Sequence, residues 1–118
     1  RLLGRALTKL EIYEGGRIGL SRLAMEDISA CGASEEDTEG IIDHIRDIES
    51  VEIAIMIRES SPGEHKVSLR SKHYADVGGF AKELGGGGHA HAAGYTARGS
   101  MEEVAARALS RAQDAVRA

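Results

Sequence analysis

Hydrophobic positions along the chain fall into blocks whose period changes from helical to alternating and back. From residue 1 to about residue 10, Leu2, Leu3, Ala6, Leu7 and Leu10 recur at helical spacing and predict a helix with one apolar stripe. Two short β-prone runs follow, Glu11-Ile12-Tyr13-Glu14 and Arg17-Ile18-Gly19-Leu20-Ser21, around Gly15-Gly16. Two such runs about a Gly-Gly pair predict a hairpin with a tight loop. Met25 to Cys31 reads as a short helix stopped at Gly32, a residue that takes a left-handed cap without steric cost. Ser34-Glu35-Glu36-Asp37 resembles a capping box, and it opens a helix that reaches about Ile48 with Ile41, Ile42, Ile45 and Ile48 turned inward.

In the second half the period becomes two. Val51, Ile53, Ile55 and Ile57 alternate with Glu52, Ala54, Met56 and Arg58, which predicts a strand. Ser61-Pro62-Gly63-Glu64 fits a type II turn, with Pro presetting φ at the second position and Gly supplying a positive φ at the third. His65 to Ser71 alternates again, Val67 and Leu69 on one face and Lys66, Ser68 and Arg70 on the other, so the two runs should pair as an antiparallel hairpin. Asp76 is placed to cap a short helix from Val77 to Leu84. After Gly85-Gly86-Gly87-Gly88 a strand is expected near Tyr95 to Arg98. Ser100-Met101-Glu102-Glu103 then caps a last helix, with Met101, Val104, Ala105, Ala108, Leu109, Ala112 and Val116 on one face. About five strands and four or five helices, mostly hairpins with interspersed helices, predict a single α+β domain with a mixed sheet rather than regular parallel βαβ units.

Composition narrows the function classes. A chain of 118 residues can bury a core without disulfides or a structural metal. Its single cysteine, Cys31, cannot form an internal disulfide, which suits a reducing cytoplasm, and it reads as a small apolar filler near a helix end. No apolar run approaches the roughly 20 residues that cross a bilayer, and there is no signal-peptide pattern, so a cytoplasmic location without membrane partners is expected. The chain starts at Arg1 already in helical rhythm, without an initiator Met, and reads as a piece of a longer protein or an engineered fragment. The net charge of -4 argues against a generic duplex binder, which needs a basic stripe. Any phosphate site must therefore be local. With one Phe, three Tyr and no Trp, base stacking has few rings to use.

Two stretches carry candidate chemistry. Four successive glycines, Gly85 to Gly88, lose much backbone entropy on folding. They are tolerated where the backbone takes unusual dihedrals or lets a ligand approach. Their N–H groups can form an anion-binding nest, strengthened if Ala90 to Ala93 begins a helical turn, with His89 at its edge. The alternative is a plain flexible loop between two helices. Arg70, beside Lys66 and Ser68 and followed by Ser71-Lys72, can donate two parallel bonds to phosphate, or can simply belong to a solvated sheet face. If the sheet end meets the glycine tract, Arg70 and His89 grip one ligand. His89-x-His91 has strand spacing for a metal, but no carboxylates cluster with it, so no metal site is assigned. Asp43 and His44 are placed on the solvated face of the Ile-rich helix. No nucleophile–base constellation is present, and no catalytic residue is assigned.

Lys66-Val67-Ser68-Leu69-Arg70-Ser71 together with Gly85-Gly86-Gly87-Gly88-His89-Ala90-His91-Ala92-Ala93-Gly94 resembles the two hallmarks of the DHH-associated substrate-binding domain, the C-terminal partner domain of DHH-family phosphoesterases. Asp76 to Leu84 is similar to the helix expected before the glycine tract. The subgroup it most resembles is the oligoribonuclease and phosphoadenosine-phosphate phosphatase type, the nano-RNases, often labelled exopolyphosphatase-related. The resemblance implies residues 11–118 as the substrate-binding domain and residues 1–10 as the end of an inter-domain linker helix. It implies short RNA or nucleotide phosphate as ligand, with Arg70 on phosphate, Gly86, Gly87, Gly88 and His89 in the substrate loop, and Ser71 as a weaker carry-over. It also implies two manganese ions in an N-terminal Asp- and His-rich domain. This sequence contains no Asp-His-His motif, so the isolated chain is not expected to hydrolyse anything. Two rivals stand beside this reading: a stand-alone RNA-binding module like the related domain at the end of alanyl-tRNA synthetases, and a dimerisation domain whose sheet forms the interface.

Overall fold

The computed structural model describes residues 2–118; Arg1, where the predicted first helix begins, lies outside them. The helices are α1 (Leu2–Thr8), α2 (Met25–Ala30), α3 (Glu35–Arg46), α4 (Val77–Glu83) and α5 (Met101–Arg117). The strands are β1 (Glu11–Tyr13), β2 (Ile18–Leu23), β3 (Ile53–Ser61), β4 (Glu64–Ser71), β5 (Gly87–His89) and β6 (Ala92–Arg98). They form one six-stranded sheet in the order β1-β2-β3-β4-β6-β5. Only β2 and β3 run parallel, joined by a crossover that carries α2 and α3; the other neighbours are antiparallel. The predicted α+β class and mixed sheet are therefore present. One strand more than expected appears because the glycine tract itself enters the sheet.

The sheet is the middle layer of three. Ile53, Ile55 and Ile57 join Val67, Leu69 and Tyr95 in a core covered by α4 and α5. Ala54 and Met56, on the opposite face of β3, join Leu2, Ala6, Leu23 and the α3 residues Ile41, Ile42 and Ile45 in a second core. The alternation read from the sequence is real, but both faces of β3 are buried. Val51 lies before the strand, which starts at Ile53, and packs into the second core.

Local chemistry sets the element ends. Gly32 (φ 61°) and Gly63 (φ 77°) hold the left-handed positions predicted for a helix stop and a turn. The Ser100–Glu103 capping box is complete: the Glu103 N–H donates to Ser100 Oγ at 3.1 Å and the Ser100 N–H donates to Glu103 Oε1 at 2.9 Å. The β1–β2 connection differs from the expected Gly-Gly loop. It is a 3-10 turn over Glu14–Gly16 in which Glu14 itself has φ 55°. The guanidinium of Arg117 donates to both Glu14 carboxylate oxygens, at 3.1 and 2.5 Å, tying that turn to the end of α5.

The glycine tract is neither a flexible loop nor a nest opening a helical turn. Gly85 and Gly86 donate their N–H groups to Lys82 and Ala81 at the end of α4, and Gly87–His89 is the edge strand β5. The glycines are required by close backbone contact. A Cβ on Gly86 would lie 2.1 Å from the Gly94 carbonyl oxygen, and one on Gly88 would lie 2.6 Å from that of Ala92. Ala90 and His91 form the turn into β6, not a helix.

Candidate functional site

Register decides what the open sheet face presents. Arg70 pairs with Ala92, and Ala92 pairs with His89. Residues paired across neighbouring strands project to the same face, so Arg70, Ala92 and His89 form one row over β4, β6 and β5. The Cα atoms of Arg70 and His89 are two strand spacings apart, roughly 10 Å. The adjacent row is Ser68, Gly94 and Gly87, and beyond it Lys66 pairs with Thr96. This face belongs to the side occupied by α1 and α3, but α3 lies over β2, β3 and the near side of β4, while α4 covers β5 and β6 from behind. The β4–β6–β5 half is left uncovered, with a floor of Ala92, Gly94 and Gly87. A groove of about 430 Å³ lies beside the Arg70 row rather than on it, lined by Arg58, Lys66, Ser68, Gly86, Gly94 and Thr96, with Arg70 and His89 outside it. Larger hollows, about 820 Å³ beside α1 and the α2–α3 loop and about 630 Å³ beside the β3–β4 turn, lie away from the Arg70 row.

The side chains on this face are held from its edges. Arg70 Nη1 donates to the Leu69 carbonyl at 2.9 Å, and Nε lies 3.7 Å from Asp43 Oδ1 on α3. Asp43 Oδ1 is also 3.3 Å from Arg46 Nη1. Asp43 is thus half-buried and faces the arginine, not the purely solvated position expected of it. Lys66 Nζ donates to Thr96 Oγ1 at 3.3 Å. His89 is exposed.

Ser71 is placed elsewhere. It is buried on the opposite face, where its hydroxyl donates to the Ala75 carbonyl at 2.6 Å, lies 2.8 Å from His91 Nδ1 and is 3.2 Å from the Ala90 carbonyl. With the hydroxyl proton on Ala75, the imidazole is the donor in the pair with His91. The Ser71 N–H also donates to the His91 carbonyl at 3.0 Å. Ser71 therefore fastens the turn that carries His89 to the end of the strand that carries Arg70. Of the residues singled out in the sequence, Arg70, Gly87 and His89 share the open face. Gly86 and Gly88 pack against β6, and Ser71 braces from behind.

A residue the sequence did not flag completes the brace. Glu52 is only 4% exposed, and its carboxylate accepts the N–H groups of His73, Tyr74 and Ala75 at 2.8–3.1 Å. Burial pushes its carboxyl up, but the three backbone donors outweigh that and hold it below the ordinary glutamate value. A Glu in an alternating strand reads as a solvent-facing position. Only the fold shows that the loop after β4 wraps over it.

Among the described residues no group of three or more His, Cys, Asp and Glu side chains could hold a metal ion. His91 is engaged with Ser71, and His89 projects to the other face, so the pair does not converge. The donor set for the manganese ions implied by the resemblance is not found here. No described helix is long and apolar enough to cross a membrane.

An α+β domain whose sheet leaves half of one face open, between an arginine strand and a Gly87–His89 edge strand, defines a class. The chain belongs to the DHHA1 domain family, whose model matches residues 23–118. That match begins inside β2, so α1 and β1 precede it, although α1 packs into the second core. The chain is 35% identical over 99 residues to the bifunctional oligoribonuclease and PAP phosphatase NrnA of Thermus thermophilus, covering 84% of this chain and 29% of that protein. An exopolyphosphatase-related protein from Bacteroides fragilis superposes with a TM-score of 0.82 at 29% identity, over 99% of this chain and 33% of that one. A pGpG-specific phosphodiesterase, PggH, from Vibrio cholerae shares the fold, with a TM-score of 0.61 at 16% identity over 93% of this chain and 36% of that one. The chain thus spans about a third of the length of these relatives.

Proposed function

We propose that this domain binds the phosphate and sugar of a short RNA or nucleotide and positions it for a DHH-type phosphoesterase domain. The single observation that carries the reading is the Arg70–Ala92–His89 row on an uncovered sheet face. Arg70 offers planar donors to a phosphate, and His89, two strands away, adds a bond that strengthens when the imidazole is protonated. The small residues between them let the sugar-phosphate lie against the backbone. Hydrolysis, and the two manganese ions that would activate water for it, belong in this reading to a separate domain such as the relatives' additional length accommodates. The relatives named for oligoribonuclease, phosphatase and phosphodiesterase activities support that assignment.

The test is direct binding of 3′-phosphoadenosine 5′-phosphate or a 5′-phosphorylated ribodinucleotide to the 118-residue chain. Arg70→Ala is expected to weaken binding about ten- to a hundredfold, as loss of a charged hydrogen-bonding group does, and His89→Ala about threefold to tenfold. A change below about twofold for both variants rejects the roles assigned here.

A further inference from the structure

We infer that Asp43 is a specificity residue of the same face, one that admits a phosphate carrying a sugar hydroxyl and turns away a bare polyphosphate chain. The inference rests on the proposed role of Arg70 and goes beyond it. Asp43 Oδ1 lies 3.7 Å from Arg70 Nε, and its carboxylate is half exposed at the edge of the open face. It stands where α3 ends its cover of the sheet, so a ligand gripping Arg70 from the open side comes within range of it. Arg46 reaches the same oxygen at 3.3 Å but is shared with Asp47 at 3.1 Å. The three-residue cluster Asp43, Arg46 and Asp47 therefore carries one net negative charge beside the phosphate-gripping arginine.

A carboxylate there has two consequences. It repels anionic oxygens in proportion to the ligand's charge, so a polyphosphate, charged along its whole length, is disfavoured more than a nucleotide. It also accepts hydrogen bonds, and among the groups on a nucleotide the sugar hydroxyls can donate one, whereas an ionised polyphosphate offers no donor. The floor beside it supports the same choice. Ala92, Gly94 and Gly87 give an uncharged surface suited to a sugar or base, which separates Arg70 from the next cations, the paired Arg58 and Lys66. Specificity here combines an attractive and a repulsive element.

Tripolyphosphate and a 5′-phosphorylated ribodinucleotide are the two probes, titrated into the 118-residue chain at fixed ionic strength. Asp43→Asn should tighten tripolyphosphate about tenfold and leave the dinucleotide within about threefold. Asp43→Ala, which also removes the acceptor, should weaken the dinucleotide about threefold to tenfold while still favouring tripolyphosphate. Asp47→Asn removes an equal charge from the cluster at a residue that does not touch Arg70, so it should shift the ratio in the same direction but by no more than about threefold. The inference is overturned if Asp43→Asn shifts both probes by the same factor or neither, or if Asp47→Asn changes the ratio as much. Arg70→Ala separates the two levels: dinucleotide binding that survives it removes the proposed function itself. Loss of binding with an unchanged Asp43 ratio removes only the role of Asp43.

Discussion

At the scale of single residues, the glycines separate by what surrounds them. A methyl group on Gly86 would sit 2.1 Å from the Gly94 carbonyl oxygen and 2.5 Å from Tyr95 Cβ, whereas one on Gly87 meets nothing within 4 Å. Gly86→Ala should therefore destabilise the domain by about 2–4 kcal/mol in chemical denaturation, the range of overpacked core sites. Gly87→Ala should leave stability within about 0.5 kcal/mol while placing a methyl in the Ser68–Gly94–Gly87 row, and its effect should appear in ligand affinity. Tyr95 gives a second test. Its hydroxyl is buried without a hydrogen-bond partner among the described residues, and burial pushes its pKa up to about 12. Removing a buried unsatisfied donor relieves its desolvation cost, so Tyr95→Phe should be neutral or stabilising by up to about 1 kcal/mol. A loss of more than about 1 kcal/mol would show that the hydroxyl has a partner.

At the scale of elements, Glu52 ties the start of β3 to the loop between β4 and α4, and through Ser71 to the turn that carries His89. Its folded-state pKa is depressed, so its contribution is present above the unfolded value, near 4.3, and is lost as pH falls through the lower folded value. Glu52→Gln should cost about 1–3 kcal/mol at pH 7 and flatten the acid limb of the stability curve below about pH 4. An unchanged acid limb would contradict the bonding described. Much of this architecture is legible in the chain. The Ile53–Ile57 alternation, the Pro62-Gly63 turn and the Ser100 capping box are local signals, and each element formed near its predicted place. What was not legible depends on contacts between distant segments. Gly87–His89 becomes a strand only because β6 lies beside it, and glycine has no strand preference to announce that. Likewise, Asp43 looks solvated on a helical wheel until β4 brings Arg70 to it, and Ser71 looks like a site residue until β4 register turns it to the back.

At the scale of the whole molecule, the net charge of -4 sets the background against which a phosphate must bind. The open face relies on few cations, chiefly Arg70, Lys66 and Arg58, so counterion release is small. For two phosphates held on a single strand, the slope of log K against log salt should be about -1.4. A slope steeper than about -4 would point to a broad basic surface that the fold does not have. On the opposite face α4 and α5 pack Val67, Leu69 and Tyr95 into a core, so the strands of the Arg70 row meet a ligand from one side.

The most direct test of the central claim is backbone amide NMR of the labelled chain titrated with a 5′-phosphorylated ribodinucleotide. The largest chemical-shift changes should fall on Arg70, Gly87, His89, Ala92 and Gly94, the residues of two adjacent rows on one sheet face. Changes concentrated instead around His65 and Met101 beside the β3–β4 turn, with the Arg70 row silent, would contradict it.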